Sequence, residues 1–239
     1  MDIMKKTGVQ PTCQHCHHGD SGHTCVARVP IFNHLDREQM HAITEAIRSV
    51  SYKKGEIIYR AGDPSESLYI VNTGSVRIYR ISDSGKEQMV RLLQPGYFTG
   101  EYALFSESLH ESYAEATEPV TICTIQRKEL QNFLMRYPSI ALKILRTYAR
   151  RLEESEKQTT SLATESVEKR LALYLADLAI ASANDMIRLP MNKKDLASFL
   201  GTTPETISRR LGDLEAQGLI KKMDPKRFRI LDKDQLQNL

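Results

Sequence analysis

The stretch that most limits what this chain can fold into runs from Met191 to Ile220. A short helix is predicted over Lys193 to Leu200. It ends at Gly201, the residue type that turns a chain through positive φ at no steric cost. Thr203 is placed to cap a second helix. Pro204 suits the first helical position, and Glu205 favours the positive end of the helix dipole. In that second helix Ile207, Leu211 and Leu214 recur at helical spacing, leaving Glu205, Thr206, Ser208, Arg209 and Arg210 outside. Two short helices joined by a tight glycine turn form the pattern of a helix-turn-helix, whose second helix lies in the DNA major groove. An ordinary αα-hairpin with a charged surface is the plainer alternative.

The 239 residues suit two modest domains, each large enough for its own core. A net charge of +3 is too small to mark a nucleic-acid binder, but its distribution is more telling. From Ile187 to Ile230 there are ten Lys/Arg against five Asp/Glu. No run of about 18 apolar residues occurs, and Met1 to Gly8 is too short and polar for a signal peptide. A cytoplasmic protein without a membrane partner is therefore expected. In that compartment clustered cysteines point more often to metal or redox chemistry than to structural disulfides.

Met1 to His23 is polar, rich in His and Cys, and lacks apolar periodicity. Cys13 and Cys16 stand two residues apart, Cys25 follows after eight more, and Cys123 is the fourth and last cysteine. Asp36 to Ser49 reads as an amphipathic helix with Met40, Ile43 and Ile47 on one side. Strand candidates then follow at Ile57 to Tyr59, Leu68 to Val71, Val76 to Ile81, Met89 to Leu93 and Val120 to Ile125, separated by Gly- and Pro-containing turns. Short strands at this spacing predict a small antiparallel barrel or roll. Lys128 to Tyr137 reads as a helix stopped by Pro138, and a long helix follows from Ser139 to Glu165. Along it Ala141, Leu145, Tyr148, Leu152, Ser155, Thr159 and Leu162 form a coiled-coil-like seam, which a partner copy of the chain explains better than burial in a monomer. Val167 to Ile180 is a further apolar helix, and Lys221 to Ile230 fits a β-hairpin wing.

With these elements in order, the chain resembles the cyclic-AMP receptor protein/FNR family of transcription regulators over about residues 31–230. The marks are Gly55 with Gly62-Asp63, Leu68-Tyr69 leading to Gly74 and Val76, and Glu205-Thr206-Ile207-Ser208-Arg209. The resemblance implies an α+β chain: a cysteine-rich loop (1–30), an antiparallel β-roll (31–136), a dimerisation helix (137–165) and a winged helix-turn-helix (166–239). It implies a DNA-binding homodimer that works with RNA polymerase and is not an enzyme.

Members that bind cyclic nucleotides carry Gly-Glu and then Arg-Ser. Here Gly100-Glu101 is followed by Glu111-Ser112, which puts a carboxylate where a cyclic phosphate needs a cation, so no cyclic nucleotide is expected. FNR-type oxygen sensors hold a [4Fe–4S] cluster through three N-terminal cysteines and one on a late roll strand. Cys13, Cys16, Cys25 and Cys123 match that set, although the last N-terminal interval is longer here. Gly19, Ser21 and Gly22 make the longer loop inexpensive. Four thiolates are the count a cubane cluster needs. Three alternatives stay open: zinc held by the trio with His17, His18 or His23; a thiol–disulfide switch with Cys123; or a buried Cys123 and an incidental trio, with no cofactor.

Cluster assembly here is expected to tether the N-terminal loop to the strand of Cys123 and so set how the roll presses on the dimer helix. In the family's oxygen sensor an acidic residue on that helix opposes association until the cluster is loaded. Ser155 stands at that position, flanked by Glu153, Glu154 and Glu156, so a permanent dimer that changes shape and a monomer–dimer switch are both open. The matching Glu-x-x-Ser-Arg implies a TTGA-type half-site in a palindrome, with Arg209 on a guanine, Glu205 accepting from a cytosine amino group and Ser208 on a neighbouring base. Lys193, Thr202, Lys221 and Arg227 are phosphate candidates. The rival classes are a metal or redox enzyme built on the roll, where His110 is the only histidine between Tyr52 and Gln126, and a constitutive DNA-binding protein.

Overall fold

The computed structural model describes residues 27, 29–101, 107–182 and 184–239. The described residues divide into two compact units, one of those up to residue 86 with those of 90–150, the other of those of 151–239 with 87–89.

The first unit is a β-roll with helices against one face. Helix α1 (Arg37–Ala46) starts at Asp36, whose carboxylate accepts from the Gln39 N–H at 2.9 Å while the Gln39 side chain accepts from the Asp36 N–H at 3.2 Å. This reciprocal cap satisfies two donors that a helix start otherwise leaves open. The helix ends three residues before the predicted Ser49. Ile47 is already extended, and Arg48–Tyr52 forms strand β1, paired with β8 (Val120–Gln126). Ser49, Val50 and Ser51 are weak helix formers, and the β8 ladder pairs alternate backbone groups along one side of this edge strand.

Between these strands lie β2 (Ile57–Tyr59), β3 (Ser67–Thr73), β4 (Val76–Ile81), β5 (Glu87–Leu93), β6 (Phe98–Thr99) and β7 (Tyr113–Ala116). They form two four-stranded sheets, ordered β1-β8-β3-β6 and β2-β7-β4-β5. Strands β1, β6 and β7 were not foreseen, being short or mixed in polarity.

The period of two divides β3 and β8 between two cores. Tyr69, Val71, Val120 and Ile122 face the roll interior with Tyr59, Val76 and Ile78. Leu68, Ile70, Cys123 and Ile125 face the opposite way, toward Ile31, Phe32, Ile43 and Leu130. Helix α2 (Arg127–Arg136) follows β8, and Pro138 opens α3 (Pro138–Thr164) instead of merely stopping its predecessor. Ile140 and Ile144, one turn apart, are buried in that outer core. Leu142, Leu145 and Leu152 on other faces of α3 are about 60% exposed (61%, 59% and 62%). Tyr148, expected on the seam, packs partly into the outer core instead.

The second unit contains the end of α3, α4 (Val167–Ser182), β9 (Met186–Arg188), α5 (Lys193–Phe199), α6 (Pro204–Ala216), β10 (Ile220–Lys222), β11 (Arg227–Ile230) and α7 (Lys233–Gln237). The wing is a three-stranded sheet, β10-β11-β9, one strand more than the predicted hairpin. No helix of the described residues is long and apolar enough to cross a membrane.

At Gly74, between β3 and β4, φ is +76°, and a β-carbon would meet Val120 Cα at 2.9 Å as well as the Pro119 carbonyl. Gly55 also has positive φ, +82°, but open space around it. Gly55→Ala should therefore cost only the conformational penalty, about 1–2 kcal/mol. Gly74→Ala should cost clearly more than Gly55→Ala in urea unfolding, and equal losses would refute the close-approach account.

Candidate nucleic-acid interface and cysteine site

Local sequence builds the helix-turn-helix from its caps outward. Asn192 caps α5, its side-chain oxygen accepting from the Asp195 N–H at 2.9 Å while its amide donates to the Asp195 carboxylate at 2.6 Å. Gly201 makes the turn at φ +66°, and a β-carbon there would also strike Leu162 of α3 at 2.8 Å. The positive φ is what favours glycine here, since the Leu162 methyl could shift aside. Gln158 of α3 donates to the Phe199 carbonyl at 3.3 Å, so the last turns of α3 hold the same corner. Thr203 then caps α6, accepting from the Thr206 N–H, and Pro204 occupies the first turn.

Ile207, Leu211 and Leu214 are buried as their spacing predicts, and Glu205, Ser208 and Arg209 are exposed. The two adjacent arginines have different fates. Arg210 turns back, pairing with Asp213 at 2.9 Å and with Glu168 of α4 at 3.4 Å. Gln217, two turns further on, donates to the same Glu168 at 3.1 Å. Glu168 thereby clamps α6 at two points. Arg209 makes no ion pair or hydrogen bond among the described residues and is available to a ligand. Hydrogen bonds from its own N–H and from the Thr203 hydroxyl hold the Glu205 carboxyl below its ordinary range, so it presents as an ionised acceptor.

The phosphate candidates divide similarly. Lys193 donates to the Ser208 hydroxyl at 3.1 Å, joining a residue expected on phosphate to one expected on a base. Thr202 is half-buried, its N–H donating to the Ala197 carbonyl, and Lys221 is exposed on β10. Arg227 is engaged inside the wing, its guanidinium on Asp224. The Asp224 carboxylate also accepts from the N–H groups of Lys226 and Arg227, at 2.8 Å each. Arg227 first, then these amides, draw the Asp224 carboxyl down to about 2. The sequence pattern did not disclose this internal pairing.

In the roll interior, Tyr59 stacks on His110 with centroids 3.8 Å apart and shares a hydrogen bond with Thr99 at 2.8 Å. Glu101 is buried and bound to Arg91 of β5 at 3.0 Å. Burial lowers the His110 pKa and raises that of Tyr59. Glu111 does not sit in this interior: it is exposed and pairs with Arg80. The expectation that its carboxylate faces a phosphate site is corrected, and the charge beside Glu101 is Arg91, which sequence spacing did not reveal.

Cys123 is a free thiol with 0% exposure, on the outer face of β8 opposite Ile70 and Ser49. It lies in one apolar cluster with Val29, Phe32 and Leu35 and with Ile140 and Ile144 of α3. Cys13, Cys16 and Cys25 lie outside the described residues, as do His17, His18 and His23. Cys25 precedes Val29 by four residues, a reach of at most about 14 Å. Among the described residues no group of three His, Cys, Asp or Glu side chains is placed to hold a metal.

Residues 49–137 match the family model for the cyclic nucleotide-binding domain, and residues 169–239 that for the Crp-like helix-turn-helix domain. The chain is 34% identical to the "Probable transcriptional regulator flp" of Lacticaseibacillus casei, over 90% of this chain and 98% of the relative. It is 29% identical to the anaerobic regulatory protein of Pasteurella multocida, over 86% of this chain and 76% of the relative. The solved structure of FixK2 from Bradyrhizobium japonicum superposes with a TM-score of 0.72 at 29% identity, covering 80% of this chain and 96% of that one.

The clamp on α6 has a direct consequence. Arg210→Ala should lower the stability of the second unit by about 1 kcal/mol in chemical unfolding of the whole chain. Arg209→Ala, which removes no internal contact, should change it by less than about 0.5 kcal/mol. Equal losses would show that the two side chains are not divided in this way.

Proposed function

Because the chain belongs to the cyclic-AMP receptor protein/FNR family of transcription regulators, we propose that oxygen or redox state controls its DNA binding through a [4Fe–4S] cluster held by Cys13, Cys16, Cys25 and Cys123. It is a DNA-binding regulator and not an enzyme. The observation that carries the proposal is the place of Cys123. A free thiol is buried on the outer face of β8, beneath the segment that leads back to the other three cysteines. An "Anaerobic regulatory protein" among the relatives supports the oxygen reading.

The donor set fits the group: four cysteines, with Cys123 free to ligate. When bound, the cluster supplies an oxygen-sensitive redox centre. The remaining steps belong to the chain's own residues. Tying Cys25 to Cys123 would fix the segment entering Val29, and Val29, Phe32 and Leu35 pack with Ile140 and Ile144 of α3. Releasing that tie would loosen the packing under the first turns of α3. A homodimer along α3 would cover Leu145 and Leu152, with Ser155 and Thr159 further along the same helix. Two copies of α6 could then engage half-sites about one helical turn of DNA apart. RNA polymerase is the proposed protein partner. The ion pair of Arg91 with Glu101, which commits the interior cation to a carboxylate, supports a roll that takes no cyclic nucleotide.

For the operator, a palindrome of TTGA-type half-sites is proposed, with Arg209 donating to guanine O6 and N7 and Glu205 accepting from a cytosine amino group. Arg209→Ala should weaken specific binding by about 1–3 kcal/mol and relax one base position. Unchanged discrimination between operator and scrambled DNA would refute the assignment.

Protein purified without air should contain iron and acid-labile sulfide in equal amounts, about four of each per chain for a cubane cluster. Cys123→Ser should remove both. Zinc in their place, or a disulfide to Cys123 mapped by mass spectrometry with no iron or sulfide, would overturn the cluster in favour of the corresponding alternative.

A further inference from the structure

The contact between Lys193 and Ser208 has a consequence for which base α6 can read. Lys193 opens α5, Ser208 lies one turn into α6, and the ammonium donates to the Ser208 oxygen at 3.1 Å. A lysine ammonium has three donors and no acceptor, so the polarity of this bond is fixed. A serine hydroxyl has one O–H and two lone pairs. With one lone pair taken by a cation, the O–H is polarised and cannot be donated to the lysine, so it is left for another partner of this exposed side chain. The oxygen becomes a poorer acceptor for a second donor.

We infer that Lys193 is a specificity-determining positioning residue: it makes Ser208 a hydrogen-bond donor to DNA and so selects a base with a major-groove acceptor at that position. Acceptable partners are guanine N7 and O6, adenine N7 and thymine O4. Cytosine, which presents its amino donor there, is rejected. Lys193 then acts on sequence selection through Ser208, a role distinct from the phosphate contact its type and position alone imply. The inference rests on the reading of α6 as the base-contacting helix and of Ser208 as one of its reading residues.

Selection of half-sites from a randomised palindrome, followed by titrations at several salt concentrations, separates the possibilities. The full-length protein should be used, with thermal melting of each variant confirming that it remains folded. Ser208→Ala should lose roughly threefold to tenfold of its discrimination against cytosine at one base position, the scale of a single hydrogen bond. Lys193→Met, which keeps the length of the side chain without its charge, should relax the same position by a similar factor. The double variant should be no more relaxed than either single one, and Lys193→Arg, which keeps a donor, should retain the preference.

If Lys193→Met weakens all sequences equally and only lowers the salt slope by about 1, Lys193 is a phosphate contact and the inference is overturned while the reading of Ser208 stands. If Ser208→Ala itself leaves every base preference intact, the underlying reading of Ser208 fails, and the inference with it.

Discussion

The pairing of β3 with β8 is the constraint on which the first unit depends. Both strands are central in their sheet, with β1 and β6 as the edges, and both are buried on two faces. Each therefore supplies alternate residues to two separate cores, and a one-residue slip in their register would exchange the two sets. Ile122 would then leave the roll interior, and Cys123 would enter it. The register Ile70 to Cys123 and Leu68 to Ile125 thus decides which side of the roll the thiol serves. Cysteine is tolerated there because a thiol packs as a small apolar group. In the proposed reading, its position under the segment that follows the N-terminal cysteines would add a ligand role to that packing role.

In the second unit the corner of the helix-turn-helix plays the corresponding part. Gly201 adopts positive φ beside the Leu162 methyl, while Gln158 donates to the nearby Phe199 carbonyl. The position of α6 follows from that corner at one end and from Glu168, through Arg210 and Gln217, along its length. Arg209 owes its freedom to this division of labour. One arginine holds the helix, and its neighbour stays exposed without an ion pair among the described residues.

Periodicity revealed elements that bury one clear face: the stripe of α6, the continuous apolar runs of β3 and β8, and the long α3. It missed β1, β6, β7 and β9 because short strands carry little local signal and owe their conformation to a distant partner. Arg48–Tyr52 is a strand because β8 lies beside it, not because its own residues demand it. Side-chain pairings were less visible still. Nothing in the spacing of Arg91 and Glu101, of Arg227 and Asp224, or of Lys193 and Ser208 separates a partner from a free charge. The helix surface placed both Arg209 and Arg210 outside, and only the presence of Glu168 on α4 distinguishes them.

The polar interior of the roll bears on where control is exerted. A cyclic phosphate needs a cation whose charge is not already committed. The cation beside Glu101 is Arg91, and that buried carboxylate holds it at 3.0 Å. Recruiting Arg91 to a phosphate would compete with its ion pair to the 3%-exposed Glu101 carboxylate, an exchange that is costly at low dielectric. The flat stack of Tyr59 on His110 occupies part of the same interior. Both effects work against a ligand inside the roll. The outer face offers the opposite conditions: an apolar layer, a free thiol within it, and direct packing against the first turns of α3. A signal arriving at that face acts on the helix without first displacing an internal ion pair, which is why the proposed control is placed at Cys123 and not in the interior beneath it.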